Sequence, residues 1–388
     1  MTHSNRVIMH SLRFLQIEAV LSSTVLAMPI MNVFFAREIG MNMSEVGLSQ
    51  AAFTLALLIC NVPTGWLADR FSRKFSNMFG DAVAALGYVG YAFASTLSEV
   101  IIYEIVIGIG LSFSFGADSA LLRAYSENLG LNYQKVEAQT NKYKPLGAAV
   151  AVLLGGVIGA HSSRLALGLT AATYGVGCLL SYFMVEAGER RITERHPVRD
   201  MLHIGHRVLY GEKQLAWVVF ARAFAVNSTH SIIWVLTPLL VLAEVPLWLI
   251  GTGWAVTLAG SWLGAHLAQH YAYNMSDMKQ YGLPVVLFAI ACAVLAAHVS
   301  LATIWLYACF GVVRGWYGGT MTPMIQRFTP PDQIATTLSV ADSTSRLMYV
   351  PLVWGLSSVA DSSPQLTMAV NFVVFVPLMT AAAFKLRP

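Results

Sequence analysis

Residues 65–74 read Gly65-Trp66-Leu67-Ala68-Asp69-Arg70-Phe71-Ser72-Arg73-Lys74. One acid and three bases crowd into its last six positions, and long apolar runs, roughly 44–68 and 75–96, flank it. Each run supplies the about 20 mostly apolar residues that a membrane-crossing helix requires. The charged stretch is therefore a short turn between two spans, held at the water side by its own charges. Gly65 permits a close helix approach. Asp69 can accept hydrogen bonds at a neighbouring helix N-terminus, where the dipole favours an anion.

The same pattern extends along the chain. Twelve apolar segments can be bracketed, roughly 12–36, 44–68, 75–96, 99–122, 143–160, 165–185, 214–242, 246–270, 281–299, 301–322, 335–359 and 364–384. Only 11% of the 388 residues are charged and 56% are hydrophobic, too few charges to clothe a soluble domain of this size. The expected fold is an all-α membrane protein with twelve transmembrane helices. The start, Met1 to Arg13, is polar and mildly basic and runs into an apolar stretch too long for a signal peptide, so no cleaved leader is expected. The polar stretch from Glu186 to Lys213 divides the chain into a six-span bundle over 1–185, a linker over 186–213 and a second bundle over 214–388. Weak self-similarity joins the halves. Leu67-Ala68 recurs as Leu267-Ala268, and Gly108 and Gly116 recur as Gly311 and Gly319. This suggests two repeats related by a pseudo-two-fold axis.

Lys and Arg set the orientation. With the N-terminus cytoplasmic, 19 of the 24 basic residues fall in cytoplasmic segments. Arg37 and Arg164 fall outside, and Arg222, Arg314 and Arg346 fall within spans. Both termini then face the cytoplasm. Cys60, Cys178, Cys292 and Cys309 all lie in apolar segments and have neither disulfide nor metal spacing.

The 65–74 stretch resembles the signature loop between helices 2 and 3 of the major facilitator superfamily, G-x-x-x-D-R/K-x-G-R/K-R/K, with Ser72 in place of the second glycine. The resemblance implies the fold of that family, a solute transporter working by alternating access. It gives Gly65, Asp69, Arg70, Arg73 and Lys74 a conformational-switch role and leaves the chain a functional monomer in a bacterial inner membrane. It also implies that helices 1, 4, 7 and 10 line a central cavity.

Ionisable residues inside a membrane are costly and therefore functional candidates. Span one carries Glu18, with Ser22, Pro29 and Asn32 at helical spacings that put them on one face. Glu18 reads either as a carboxylate that loads and releases a coupling proton, a role the resemblance favours, or as an interfacial acid paired with Arg13 or another basic group. Glu104 and Asp118 in span four are 14 residues apart and share a face if the helix is continuous. Glu104 reads as a second titrating site or the partner of a buried arginine. Asp118 reads as a titrating site or a helix-end ion pair with Arg123. Arg222, Asn227 and His230 in span seven, and Arg314 beside Trp316 and Tyr317 in span ten, are candidate substrate contacts together with Asn32. An arginine among aromatics suits a carboxylate or a planar group. The alternative pairs the arginines with Glu18 or Glu104. Asp342 and Arg346, four apart, suit a local ion pair with a structural or gating part. Asp81 is expected to pair with the signature loop.

Antiporters of the resembled family often carry G-P-x-x-G-G in helix 5. Here the stretch is Ala151-Val152-Leu153-Leu154-Gly155-Gly156, which lacks the Gly-Pro. There is no phosphate-binding loop and no metal-ligand cluster, so neither an ATP-driven pump nor an enzyme is expected, and no cofactor beyond a proton gradient. The expected partners are a small-molecule substrate, protons and the lipid bilayer, with no nucleic acid. The leading expectation is proton-coupled efflux of a small organic molecule. The alternatives are proton-coupled uptake or facilitated diffusion of a polar or anionic nutrient, and a non-transporting receptor.

Overall fold

The computed structural model describes residues 3–70, 72–115, 117–187, 204–330 and 333–386. The described residues form helices and connecting turns. The first compact unit comprises Met1–Gly40 and Ala52–Arg195; the second comprises Met41–Ala51 and His196–Pro388.

The first unit holds α1 (His3–Leu21), α2 (Met31–Phe34), most of α3 (Met43–Arg70), α4 (Arg73–Phe93), α5 (Leu97–Ser114), α6 (Ala117–Asn128), α7 (Tyr133–His161) and α8 (Ser163–Phe183). The second holds α9 (Lys213–His230), α10 (Leu236–Leu242), α11 (Ile250–Tyr271), α12 (Asp277–Ala297), α13 (Tyr307–Arg327), α14 (Ile334–Ser362) and α15 (Pro364–Lys385), with the first turns of α3. Among the described residues, seven helical runs are long and apolar enough to cross a bilayer by themselves. The fifteen helices named above correspond to twelve spans because spans one, four and seven are each broken in two.

Small residues let these helices pack backbone to backbone, the usual solution where lipid removes the hydrophobic drive for association. α11 and α13 interlock through Gly260, Gly264, Gly311 and Gly315. A Cβ on Gly315 would lie 1.8 Å from the Ser261 carbonyl oxygen, and one on Gly311 would lie 2.0 Å from that of Thr257. α4 and α5 do the same, since a Cβ on Gly110 would lie 2.6 Å from the Ala84 nitrogen. Gly315→Ala is expected to cut the yield of folded protein sharply, because backbone cannot yield as a side chain does. Gly318→Ala, with nothing within 4 Å of the added carbon, should fold normally. Size-exclusion profiles of the two variants check this.

The signature loop shows why Ser72 stands where a glycine is usual. Its hydroxyl accepts from the Phe75 N–H at 2.9 Å and caps α4. The same hydroxyl donates to Glu186, whose carboxylate also takes the Arg73 and Lys74 N–H groups, each at 3.2 Å. The Glu186 carboxylate thus sits on the N-terminus of α4. The side chains of Asp69 and Arg70 lie outside the described residues. Lys74 lies over the Tyr182 ring, 5.7 Å from its centroid. Ser72→Ala should cost about 1 kcal/mol and Ser72→Gly only a few tenths. Thermal melting of the purified variants should therefore rank alanine below glycine.

Candidate functional site

Span one is not a continuous helix. α1 ends at Leu21, residues 22–27 leave the helix, and a 3₁₀ turn over Met28–Ile30 leads into α2. Backbone and side-chain groups of the broken segment find partners on α7 and α8. The Tyr174 hydroxyl donates to the Ser22 carbonyl at 3.0 Å, the Ala27 N–H reaches the Thr170 hydroxyl at 3.1 Å, and the Ser23 hydroxyl reaches the Lys144 carbonyl at 3.1 Å. Gly155 explains half of its glycine pair, since a Cβ there would lie 1.9 Å from the Leu26 carbonyl oxygen. The expected shared face of Glu18 and Asn32 is therefore corrected: the break separates them.

Span seven breaks in the same place. α9 ends at His230, and a 3₁₀ turn over Ile233–Val235 leads into α10. Leu21 and His230 are 209 apart, as are Pro29 and Pro238 in the segments that follow. Tyr307 donates to the Ile232 carbonyl, and the Ser231 hydroxyl donates to the Asn371 side chain at 2.9 Å. Matched broken helices in two repeats are the structural pointer to a transporter's binding region.

Beside the first break, three carboxylates gather in the first unit. Glu18 on α1 and Asp81 on α4 are fully buried. Both oxygens of each, and Oδ1 of Asp118 on α6, lack a hydrogen-bond partner among the described residues. Asp81 and Asp118 both lie within electrostatic range of Glu18, as does Lys144. Gly177 on α8 is the floor between two of them: a Cβ there would lie 2.7 Å from Asp81 Oδ2 and 3.4 Å from Glu18 Cγ. Asn77 sits against Glu18 while its N–H donates to the Ser181 hydroxyl at 3.2 Å. Three acids face one lysine here. Asp81 is thus part of this cluster, which corrects its expected pairing with the signature loop.

The second unit carries the opposite excess. A cavity of about 540 Å³ between α9, α11 and α13 is lined by Arg222, Arg314, Thr229, Ser261 and Tyr317 among others. Arg222 Nη2 meets Asp342 Oδ1 at 2.6 Å, while its Nη1 is buried and unpartnered among the described residues. Arg314 is exposed and presents its surface to the cavity. Arg346 lies within electrostatic range of both Arg222 and Asp342, and His230 lies within range of Arg314 and Arg346. Two guanidiniums, Arg222 and Arg346, therefore stand near the Asp342 carboxylate, while Arg314 faces the same cavity as Arg222. Asp342 reaches across to α9, beyond the local arrangement with Arg346 expected from spacing.

The profile of the Major Facilitator Superfamily matches residues 19–351. The chain belongs to the major facilitator superfamily. Solved structures with this fold include the nucleoside transporter NupG (11% identity, TM-score 0.78, 98% of each chain). A D-xylose–proton symporter shares 12% identity at a TM-score of 0.72, over 98% of this chain and 97% of that one. A bacterial homolog of the human lysosomal transporter Spinster shares 13% at 0.72, over 100% and 95%. An uncharacterized MFS-type transporter of Methanocaldococcus jannaschii is 27% identical over 131 residues, 34% of this chain and 33% of that relative. The sequence match thus spans about a third of that relative's length. The chain is an integral, multi-pass membrane protein of this family.

Other expected residues of this major facilitator chain have packing partners. Asn227 donates from Nδ2 to the Ser345 carbonyl at 3.0 Å and ties α9 to α14. The Trp316 indole N–H donates to the Gln280 carbonyl, and the Tyr317 hydroxyl donates to the Tyr281 carbonyl, each at 2.7 Å, so both polar tips are committed to α12. His230 meets Tyr349 edge-on with centroids 4.7 Å apart. Glu104 accepts from the Tyr91 hydroxyl at 2.7 Å. The expected shared face of Glu104 and Asp118 is corrected as well, because Phe115 is extended and splits span four into α5 and α6. Asn32 is buried on α2, just past the first break.

Proposed function

We propose that this protein is a proton-coupled transporter of a small organic anion. The observation that carries the reading is the pair of opposite charge excesses. Arg222 and Arg314 line one cavity, where the buried Arg222 Nη1 has no partner among the described residues and Arg314 no ion pair; a solute anion would neutralise this positive charge, and hydroxyls from Thr229 and Ser261 line the same cavity. Arginine suits such a solute because its planar fork meets a carboxylate or phosphate with two hydrogen bonds. Buried carboxylates in excess over Lys144 are stable only if they take up protons, which supports Glu18, Asp81 and Asp118 as the proton-carrying groups.

The acids and the arginines belong to different units. Proton and anion therefore do not compete for the same atoms. Binding together favours their movement together, provided each binds the two access states with different affinity. The basic loops support placing both termini on the cytoplasmic side. The test is uptake of labelled mono- and dicarboxylates, a phosphate monoester and a neutral amphiphile into proteoliposomes under an imposed pH gradient. Accumulation of an anion, with the neutral amphiphile unmoved, is expected. Gradient-driven movement of the amphiphile alone overturns the reading.

A further inference from the structure

We propose that the apolar groove between α12 and α15 holds an acyl chain of an anionic phospholipid, with Lys279 binding the phosphate. The groove has a volume of about 650 Å³ and lies within the second unit. Met278, Leu283, Val286, Ile290, Val376 and Phe384 line it, and only Lys279 and Thr380 contribute polar side chains. Leu283, Val286, Ile290 and Phe384 are largely exposed, so no protein element covers this face among the described residues.

Two features select the occupant. The first is length. Lys279 and Ile290 are eleven residues apart, about 16 Å along the helix, which matches half of the roughly 30 Å hydrocarbon core. The groove thus traverses one leaflet, from headgroup level to the midplane. The second is charge. Lys279 lies in the first turn of α12 and is exposed at the groove's end. The nearby acid, Asp277, is already held by Arg327 at 2.6 Å, which leaves the Lys279 ammonium for another anion. A lysine at this depth extends its stem along apolar surface and keeps its charge among the headgroups. Gly282 and Ala383 form the floor where the chain would lie.

Native mass spectrometry of the purified transporter, titrated with phosphatidylglycerol or phosphatidylcholine of identical acyl chains, tests this. Wild type should bind the first phosphatidylglycerol roughly fivefold more tightly, the factor one basic residue supplies at an anionic headgroup. Lys279→Glu should remove the preference and Lys279→Arg should keep it. Gly282→Leu fills the groove; its Cβ meets only the Ala383 Cβ, at 3.7 Å, so the fold should tolerate it. It should lower binding of both lipids and leave the melting temperature in detergent unchanged. Equal binding of the two lipids by wild type overturns the proposal. So does a preference that survives Lys279→Glu, or tight lipid binding that survives Gly282→Leu. Self-association lost in Gly282→Leu without any lipid preference in wild type would make the groove a contact between copies and likewise refute it.

Discussion

Glu18→Gln should abolish the accumulation of solute under a pH gradient while leaving solute exchange between equilibrated compartments largely intact. Glutamine keeps the shape of the side chain and cannot release a proton. One pH unit is worth about 1.36 kcal/mol per proton, so one coupled proton sustains roughly tenfold accumulation. The variant should sustain none. Exchange requires only that the loaded carrier reorient, and a neutral residue at this position mimics the protonated acid. Asp81→Asn should act in the same direction, because its carboxylate and Glu18 meet over Gly177. Gly177→Ala is the sharper variant. It removes no ionisable group, yet its methyl would lie 2.7 Å from Asp81 Oδ2 and must displace that carboxylate. Reduced accumulation in Gly177→Ala with normal exchange would place the coupling in this cluster. Full accumulation in both Glu18→Gln and Gly177→Ala would remove it from there.

Arg314→Gln should raise the KM for the anion by roughly ten- to hundredfold with a smaller change in maximal rate. A hydrogen bond to a charged group contributes about 1.5–3 kcal/mol, and Arg314 has no ion pair among the described residues to replace the solute. Arg314→Lys should not rescue fully, since a point charge cannot reproduce the two-pronged contact. Arg222 needs a different design because it also holds Asp342 at 2.6 Å. Arg222→Gln alone breaks the ion pair and leaves Asp342 only Arg346 nearby, so it should destabilise the protein. Arg222→Gln with Asp342→Asn removes the ion pair as a unit and should recover part of the melting temperature, Arg346 having lost its nearby acid, while the KM stays raised. If the double variant transported with a normal KM, Arg222 would be structural only.

Membrane class, family and span count were legible because they depend on quantities a linear chain displays: apolar length, the placement of Lys and Arg, and one compact loop. What spacing could not convey was where helices stop. Glu18 and Asn32, and Glu104 and Asp118, were placed on shared faces by counting along helices that in fact break at residues 22–27 and at Phe115. A signal for the first break was present: Pro29 and Pro238 fall 209 residues apart in matching spans. The pairing of Asp81 with the signature loop follows from the peripheral place of helix 3 that the resemblance implies, whereas α4 packs against α8 and turns that carboxylate to Gly177 and Glu18. Trp316 and Tyr317 neighbour Arg314 in sequence, but their polar tips are taken by carbonyls of α12. Local pattern locates a residue on its own helix. Which residues of other helices it meets is decided by glycine contacts such as Gly177 and Gly315, and a single sequence does not pair these.

The most direct test of proton-coupled anion transport follows protons without imposing any pH gradient. Proteoliposomes loaded with a pH-sensitive dye are given an inward gradient of the anion that the uptake screen identifies. Wild type should acidify the interior as the anion enters, and Glu18→Gln should not. Anion entry into wild-type vesicles with no change in internal pH would contradict the account.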